Sequence, residues 1–141
     1  MSAERPMPIG LQLARTARSV STEFERAMGE AGGSASMWQV LLLVRSGQWG
    51  TQSNLAKAMG VTGATMTHHL NALEAQGLVR RWRDESNKRV QQVELTKSGI
   101  ARFDRLREVA MKHDQRLRTR LGAKEAEQLA TLLHKLADDA D

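Results

Sequence analysis

The chain contains no cysteine and no tyrosine. Without cysteine there are no disulfides, no thiolate metal ligands and no thiol-based redox sensing. No run of 18 apolar residues occurs, and the opening MSAERPMPIG carries no signal-peptide core before an amphipathic helix begins. A cytoplasmic protein with no membrane partner is therefore expected. A glycine-rich phosphate loop, internal repeats, low-complexity tracts and long linkers are also missing; the one Gly/Ser cluster, Gly29 to Ser36, connects two helices. Nucleophilic and acid–base catalysis need reactive side chains gathered in a pocket, whereas here Cys and Tyr are absent and the acids are dispersed along helix faces. Neither an enzyme nor a cofactor is expected.

The four histidines do not have the spacing of a metal site. His68 and His69 are neighbours on a helix, so their side chains diverge by about 100° and cannot hold one ion together. His113 is followed by Asp114, and His134 faces Asp138 at i+4, an ordinary surface pairing. No metal is expected.

What the chain has is positive charge, unevenly placed. At 141 residues it is one domain large enough for a real core, with a net charge of +5 and a pI near 10.2, which favours an anionic partner. Residues 51–90 hold six basic side chains (Lys57, Arg80, Arg81, Arg83, Lys88, Arg89) against three acids (Glu74, Asp84, Glu85), leaving +3. The flanking segments are each nearly balanced, so the excess lies in the middle.

That middle, Thr51 to Thr96, reads as two short helices joined by a glycine turn and then a hairpin with adjacent basic residues at its tip. Ala56 and Gly60 lie four apart, placing a small side chain where two helices cross and a glycine where the chain turns. Leu55, Met59, Val61, Met66, Leu70 and Leu73 fill the core beneath. The second helix runs from the N-cap Thr62 to Ala75, with Met66, His69, Leu70 and Leu73 on one face. Opposite lie Ala64, Thr65, Thr67, His68 and Asn71, a small polar face with almost no charge. A solvated surface helix is one reading of that face. The other is a helix seated in a major groove, where short side chains admit the backbone and Thr, His and Asn reach base edges. Gly77 ends the helix, Leu78 to Asp84 and Val90 to Leu95 are strands, and Asp84 to Arg89 is the turn-rich connection.

These segments resemble the MarR family of bacterial transcription regulators. D-E-S-N-K-R followed by V-Q-Q-V-E-L-T, from Asp84 to Thr96, is similar to the family's wing pattern D-x-x-D-x-R followed by a short apolar strand and L-T. L-A-K-A-M-G-V-T-x-x-T from Leu55, H-L-N-A-L-E from His69 and G-L-V-R-R from Gly77 resemble its helix-turn-helix, and the likeness covers nearly the whole chain. Two positions depart: Asn87 replaces the second wing aspartate, and the basic pair is Lys88 and Arg89. The resemblance implies a mainly α fold with a small β-hairpin wing: a winged helix-turn-helix lobe over 34–96, and dimerisation helices over 8–30 and 97–141. It implies double-stranded DNA as partner, with Thr62, Ala64, Thr65, Thr67, His68 and Asn71 on the recognition helix and Lys88 and Arg89 on the wing, the latter braced by Asp84. The absence of cysteine sets aside the family's branch that senses peroxide through a thiol. A sequence-indifferent architectural DNA binder and a winged helix used for protein contacts are the rival classes.

The flanking helices carry apolar stripes. Ile9, Leu13, Ala17, Val20, Phe24 and Ala27 line the first, roughly Pro8 to Met28. Ser34 or Ser36 caps the second, whose run Trp38, Val40, Leu41, Leu42, Leu43 and Val44 is expected to be buried. Thr96 caps a helix reaching about Arg120, with Ile100, Phe103, Leu106, His113 and Leu117 inward, and a last helix spans Lys124 to Ala137. Ile9, Leu13, Val20, Leu129, Leu133 and Leu136 are the expected interface of a homodimer. By resemblance the regulator is a repressor on an inverted repeat, though some relatives activate, and it is released by a small aromatic acid. Arg15 or Arg18 would then hold the carboxylate while Trp38 and Leu42 supply an apolar wall; for each residue taken singly the stronger reading is that Trp38 is core and the arginines are solvated.

Overall fold

The computed structural model describes residues 5–138. In chain order these form α1 (Ile9–Glu30), α2 (Ala35–Ser46), α3 (Gln52–Met59), α4 (Gly63–Ala75), β1 (Val79–Arg83), β2 (Gln91–Leu95), α5 (Lys97–Leu121) and α6 (Ala123–Asp138). The fold is mainly helical with one antiparallel hairpin, as the sequence implies.

Four helices begin at a hydroxyl that satisfies a free amide. Ser34, not Ser36, caps α2 by accepting from the Met37 amide. Thr51, Thr62 and Thr96 do the same for α3, α4 and α5, accepting from the amides of Asn54, Thr65 and Gly99. Gly60, at φ +69°, supplies the left-handed turn between α3 and α4. Each strand is slightly shorter than its apolar pattern. The register pairs Val79 with Leu95 and Arg83 with Gln91. Ahead of α3, Thr51 bridges to Gln92 and the Gly50 carbonyl accepts from the Val93 amide at 3.0 Å, so the hairpin is anchored to the start of α3.

The core lies where α2, α4 and α5 meet. Met28, Val40, Leu41, Leu55, Met66, Leu70 and Leu106 are fully enclosed, and Met59 and Val61 pack against them at the rim. One expectation is corrected here: Leu42 is 42% exposed. A helix with apolar residues nearly all round still has one outer side, and on α2 that side is the stripe Gln39, Leu42, Ser46, which no other element covers. Ile100 likewise lies at the exposed edge of α5 and not inside it.

The base of the wing is fixed to α5 through main-chain contacts. The Leu78 carbonyl accepts from the Thr96 amide at 3.1 Å, and the Thr96 hydroxyl donates to the Gly77 carbonyl at 2.6 Å. Gly99 rests on the same carbonyl so closely that a β-carbon there would stand 1.9 Å from the Leu78 oxygen.

α1 and α6 are covered only in part. Along the α1 stripe Phe24 packs on the core, whereas Ile9 is 73% exposed and Leu13 42%. On α6, Leu129, Leu132, Leu133 and Leu136 are all exposed and only Ala126 is buried. At 25 residues α5 extends about 37 Å. Among the described residues no helix is long and apolar enough to cross a membrane.

Candidate nucleic-acid interface

α4 is positioned by its buried side. Met66, Leu70 and Leu73 enter the core, and this fixes Ala64, Thr65, His68 and Asn71 on the exposed side. Thr62 both caps the helix and donates through its hydroxyl to the Thr65 hydroxyl at 3.0 Å. Thr67 is half-buried, and its hydroxyl accepts from the Gln52 carboxamide at 2.6 Å, tying α4 to the start of α3. The exposed face of α4 is thus short, polar and uncharged, as its sequence indicates, with one correction: Thr67, expected on that face, is half-buried because its hydroxyl is bonded to Gln52.

The wing tip is held by local turn chemistry. One Asp84 carboxylate oxygen accepts from the Ser86 amide at 2.9 Å and the Ser86 hydroxyl at 2.6 Å, and the other from Gln92 at 3.1 Å. The expected brace between Asp84 and Arg89 is therefore corrected. Asp84 spends both oxygens two residues away and across the strand pair, because an Asx turn forms at lower entropic cost than an ion pair with a long side chain five residues on. The bonds from the Ser86 hydroxyl and amide, then Gln92, hold the Asp84 carboxyl below its ordinary value. This contribution is present at neutral pH and is lost as the pH falls through that lowered value. Asn87 bonds the Arg89 amide through its own side chain, and Arg83 donates to the Lys88 carbonyl at 2.8 Å. The Lys88 and Arg89 side chains are left exposed on the tip.

Arg89 does not stand alone. With Val90 and Gln91 it forms one wall of an open cleft whose other wall is Thr51, Gln52, Ser53 and Lys57 of the α3 region and Gly63 at the start of α4. Lys57 and Arg89 give this cleft positive charge on both sides, next to the amino-terminal ends of two helices, where free amides and the helix dipole favour anions. Nothing in the sequence signals Gln52 and Ser53, and Lys57 enters only through the central basic excess; its particular mark is that it is the lone lysine on a helix otherwise free of charge. On the outer face of the hairpin, Arg80 pairs with Glu94 and lies 4.5 Å over the Trp82 ring. Arg81 turns inward to Asn71 and Glu74.

The four residues expected to form a ligand pocket are not brought together. Arg15 and Arg18 line an open groove built from α1 alone, with Ser19, Thr22, Glu23 and Arg26. Trp38 stacks on Phe103 at 5.4 Å between ring centroids, half-buried against α5, and Leu42 points outward from α2. The apolar wall is committed to core packing on one side and to solvent on the other.

The segment from residue 34 to 90 matches the family model for the MarR family. A crystal structure of the transcriptional regulator PA4135 is 30% identical, with a TM-score of 0.77 over 95% of this chain and 98% of that one. The chain belongs to the MarR family. The repressor CouR, solved bound to a 23-mer DNA duplex, is 27% identical with a TM-score of 0.86 over 96% of this chain and 99% of CouR. The uncharacterised HTH-type transcriptional regulator YdgJ of Bacillus subtilis (strain 168) is 26% identical over 91% of this chain and 76% of its own length. This MarR-family protein is accordingly a DNA-binding transcriptional regulator and not an enzyme.

Proposed function

We propose that the protein is a homodimeric, cytoplasmic repressor that binds an inverted-repeat operator and is released by a small aromatic acid. The observation carrying this reading is the uncharged polar face of α4 flanked by the basic wing, on a molecule whose α1 and α6 stripes lie open. In this reading residues 34–96 are the DNA lobe, and 8–30 with 97–141 are the dimerisation region, of which 139–141 lie outside the described residues. Thr62, Ala64, Thr65, His68 and Asn71 face the major groove, Thr67 of the expected set supports them from its bond to Gln52, and Lys88 and Arg89 reach the flanking minor groove or phosphates. Two α4 helices related by a two-fold axis enter successive major grooves about 34 Å apart. Occupancy of such a site over a promoter blocks polymerase. Arg15 and Arg18 stay as partners for an inducer's carboxylate, on a groove that a second subunit would close.

A gel-shift titration against the protein's own upstream region, with excess random competitor and then a panel of aromatic acids, tests the reading. A retained complex supports a specific regulator. Loss to the competitor indicates a sequence-indifferent architectural binder, absence of any complex indicates a protein-contact module, and dissociation by one acid identifies the inducer class.

Two substitutions refine the assignment. Arg89→Ala is expected to weaken binding to all sequences by roughly 1–3 kcal/mol and to lower the salt slope by about one per subunit. Unchanged affinity and slope would remove the wing from the interface. His68→Ala is expected to relax base preference at a single half-site position, worth roughly 1–3 kcal/mol there. A uniform loss across operator variants would assign His68 to phosphate.

A further inference from the structure

Asn71 lies three residues after His68 and seven after Ala64, on the same exposed ridge of α4. Its carboxamide oxygen accepts from Arg81 Nη2 at 2.5 Å, and the same nitrogen donates to Glu74 Oε1 at 3.1 Å. The Arg81 side chain, on β1, is only 13% exposed. A guanidinium has hydrogen-bond donors and no acceptor, so the end of the carboxamide turned toward it has to be the oxygen. The nitrogen, with its two N–H groups, is then the end left free. The bond from the Arg81 side chain also lowers the pKa of Glu74, so this carboxylate stays ionised beside Arg81 to a lower pH than an unpaired glutamate would.

We infer that Arg81 sets Asn71 with its amide nitrogen outward, making this position of the recognition helix a donor-only reader that selects guanine or thymine over adenine and cytosine. The inference rests on the reading of α4 as the helix in the major groove. Guanine offers two neighbouring acceptors there, N7 and O6, and thymine offers O4. Adenine sets its N6 amino donor beside N7, and cytosine presents only its N4 donor. The bidentate bond by which asparagine recognises adenine needs the carboxamide oxygen to accept from N6, and in this chain that oxygen faces Arg81. Arg81 is thus a positioning residue: it touches no base, yet it decides which base its neighbour accepts.

The test is selection from duplexes randomised over the half-site, run with the full-length protein and three variants. For the wild type, guanine or thymine should exceed adenine roughly tenfold at one position of each half-site. Asn71→Asp keeps an oxygen on Arg81 and replaces the outward donor with an acceptor, so preference at that position should move to cytosine. Arg81→Met frees the carboxamide to turn over, so adenine should rise to within about twofold of guanine there while other positions hold. If Asn71→Ala abolishes the preference but Arg81→Met retains it, the positioning role is overturned and the recognition helix stands. If Asn71→Ala changes no position, both fall at this residue. Should Arg81→Met melt below the assay temperature, Asn71→Asp decides alone: a retained guanine or thymine preference overturns the inference.

Discussion

Leu133→Asp is expected to break the protein into monomers or drive it to aggregate, and to lower operator affinity roughly a hundredfold or more. Leu133 is 41% exposed on α6 and stands with Leu129 and Leu136 in a stripe that the described residues cover only in part. Ile9 and Leu13 on α1 leave a second such stripe. Contiguous apolar surface of this kind is rarely left to water, and a second copy of the chain is the proposed cover. A carboxylate placed in that interface without a partner costs several kcal/mol, whereas on a free surface the same change costs little. The affinity loss follows because two half-sites are no longer engaged together, and linkage of this kind contributes on the order of 10²–10⁴ in avidity. Light scattering reads the first effect and a gel shift the second. A wild type that already runs as a 15.7 kDa monomer at micromolar concentration, yet holds an inverted repeat tightly, would count against the dimer.

Gly99→Ala is expected to lower stability by about 3 kcal/mol, although it lies in the first turn of a helix. Helix propensity alone argues the other way, since Ala is better than Gly by roughly 0.5–1 kcal/mol. Sterics decide the sign. The added β-carbon would meet the Leu78 carbonyl oxygen at 1.9 Å, and that oxygen accepts from the Thr96 amide, so it cannot retreat without loosening the join between wing and α5. Overpacking typically costs 1–3 kcal/mol, and a clash with main chain belongs at the upper end. For a domain of this size that corresponds to a fall in Tm of roughly 10 °C, read by circular dichroism at matched protein concentration. A Tm within about 2 °C of wild type would mean that the junction yields more readily than its hydrogen bonds imply.

Much of this architecture is legible in the chain because it is local chemistry. Thr51, Thr62 and Thr96 each precede a helix, and their hydroxyls sit where a free amide needs them. The α4 core face follows from the spacing of Met66, Leu70 and Leu73. What stays hidden depends on partners far away in sequence. Nothing in the periodicity of α4 indicates that Asn71 is held by Arg81 on the next strand, or that Lys57 and Arg89, 32 residues apart, line one cleft. The apolar run of α2 gives no sign that Leu42 is its outer side. Asp84 shows the converse, a tertiary ion pair expected by resemblance and displaced by a turn bond two residues away. The proposed pocket separates for a similar reason: Trp38 finds Phe103 on α5, and Arg15 and Arg18 line a groove with other residues of α1 alone.

In the proposed complex two copies of this chain place their α4 helices in successive major grooves of an inverted repeat. Hydroxyl-radical footprinting on a duplex selected by the wild-type protein, with the mass of the same complex measured by light scattering, tests it most directly. The expected result is two-fold symmetric protection in two clusters about one helical turn apart, on a complex holding about 31 kDa of protein, twice the mass of one chain. A single protected cluster bound by one chain, or uniform protection that random DNA competes away, would contradict it.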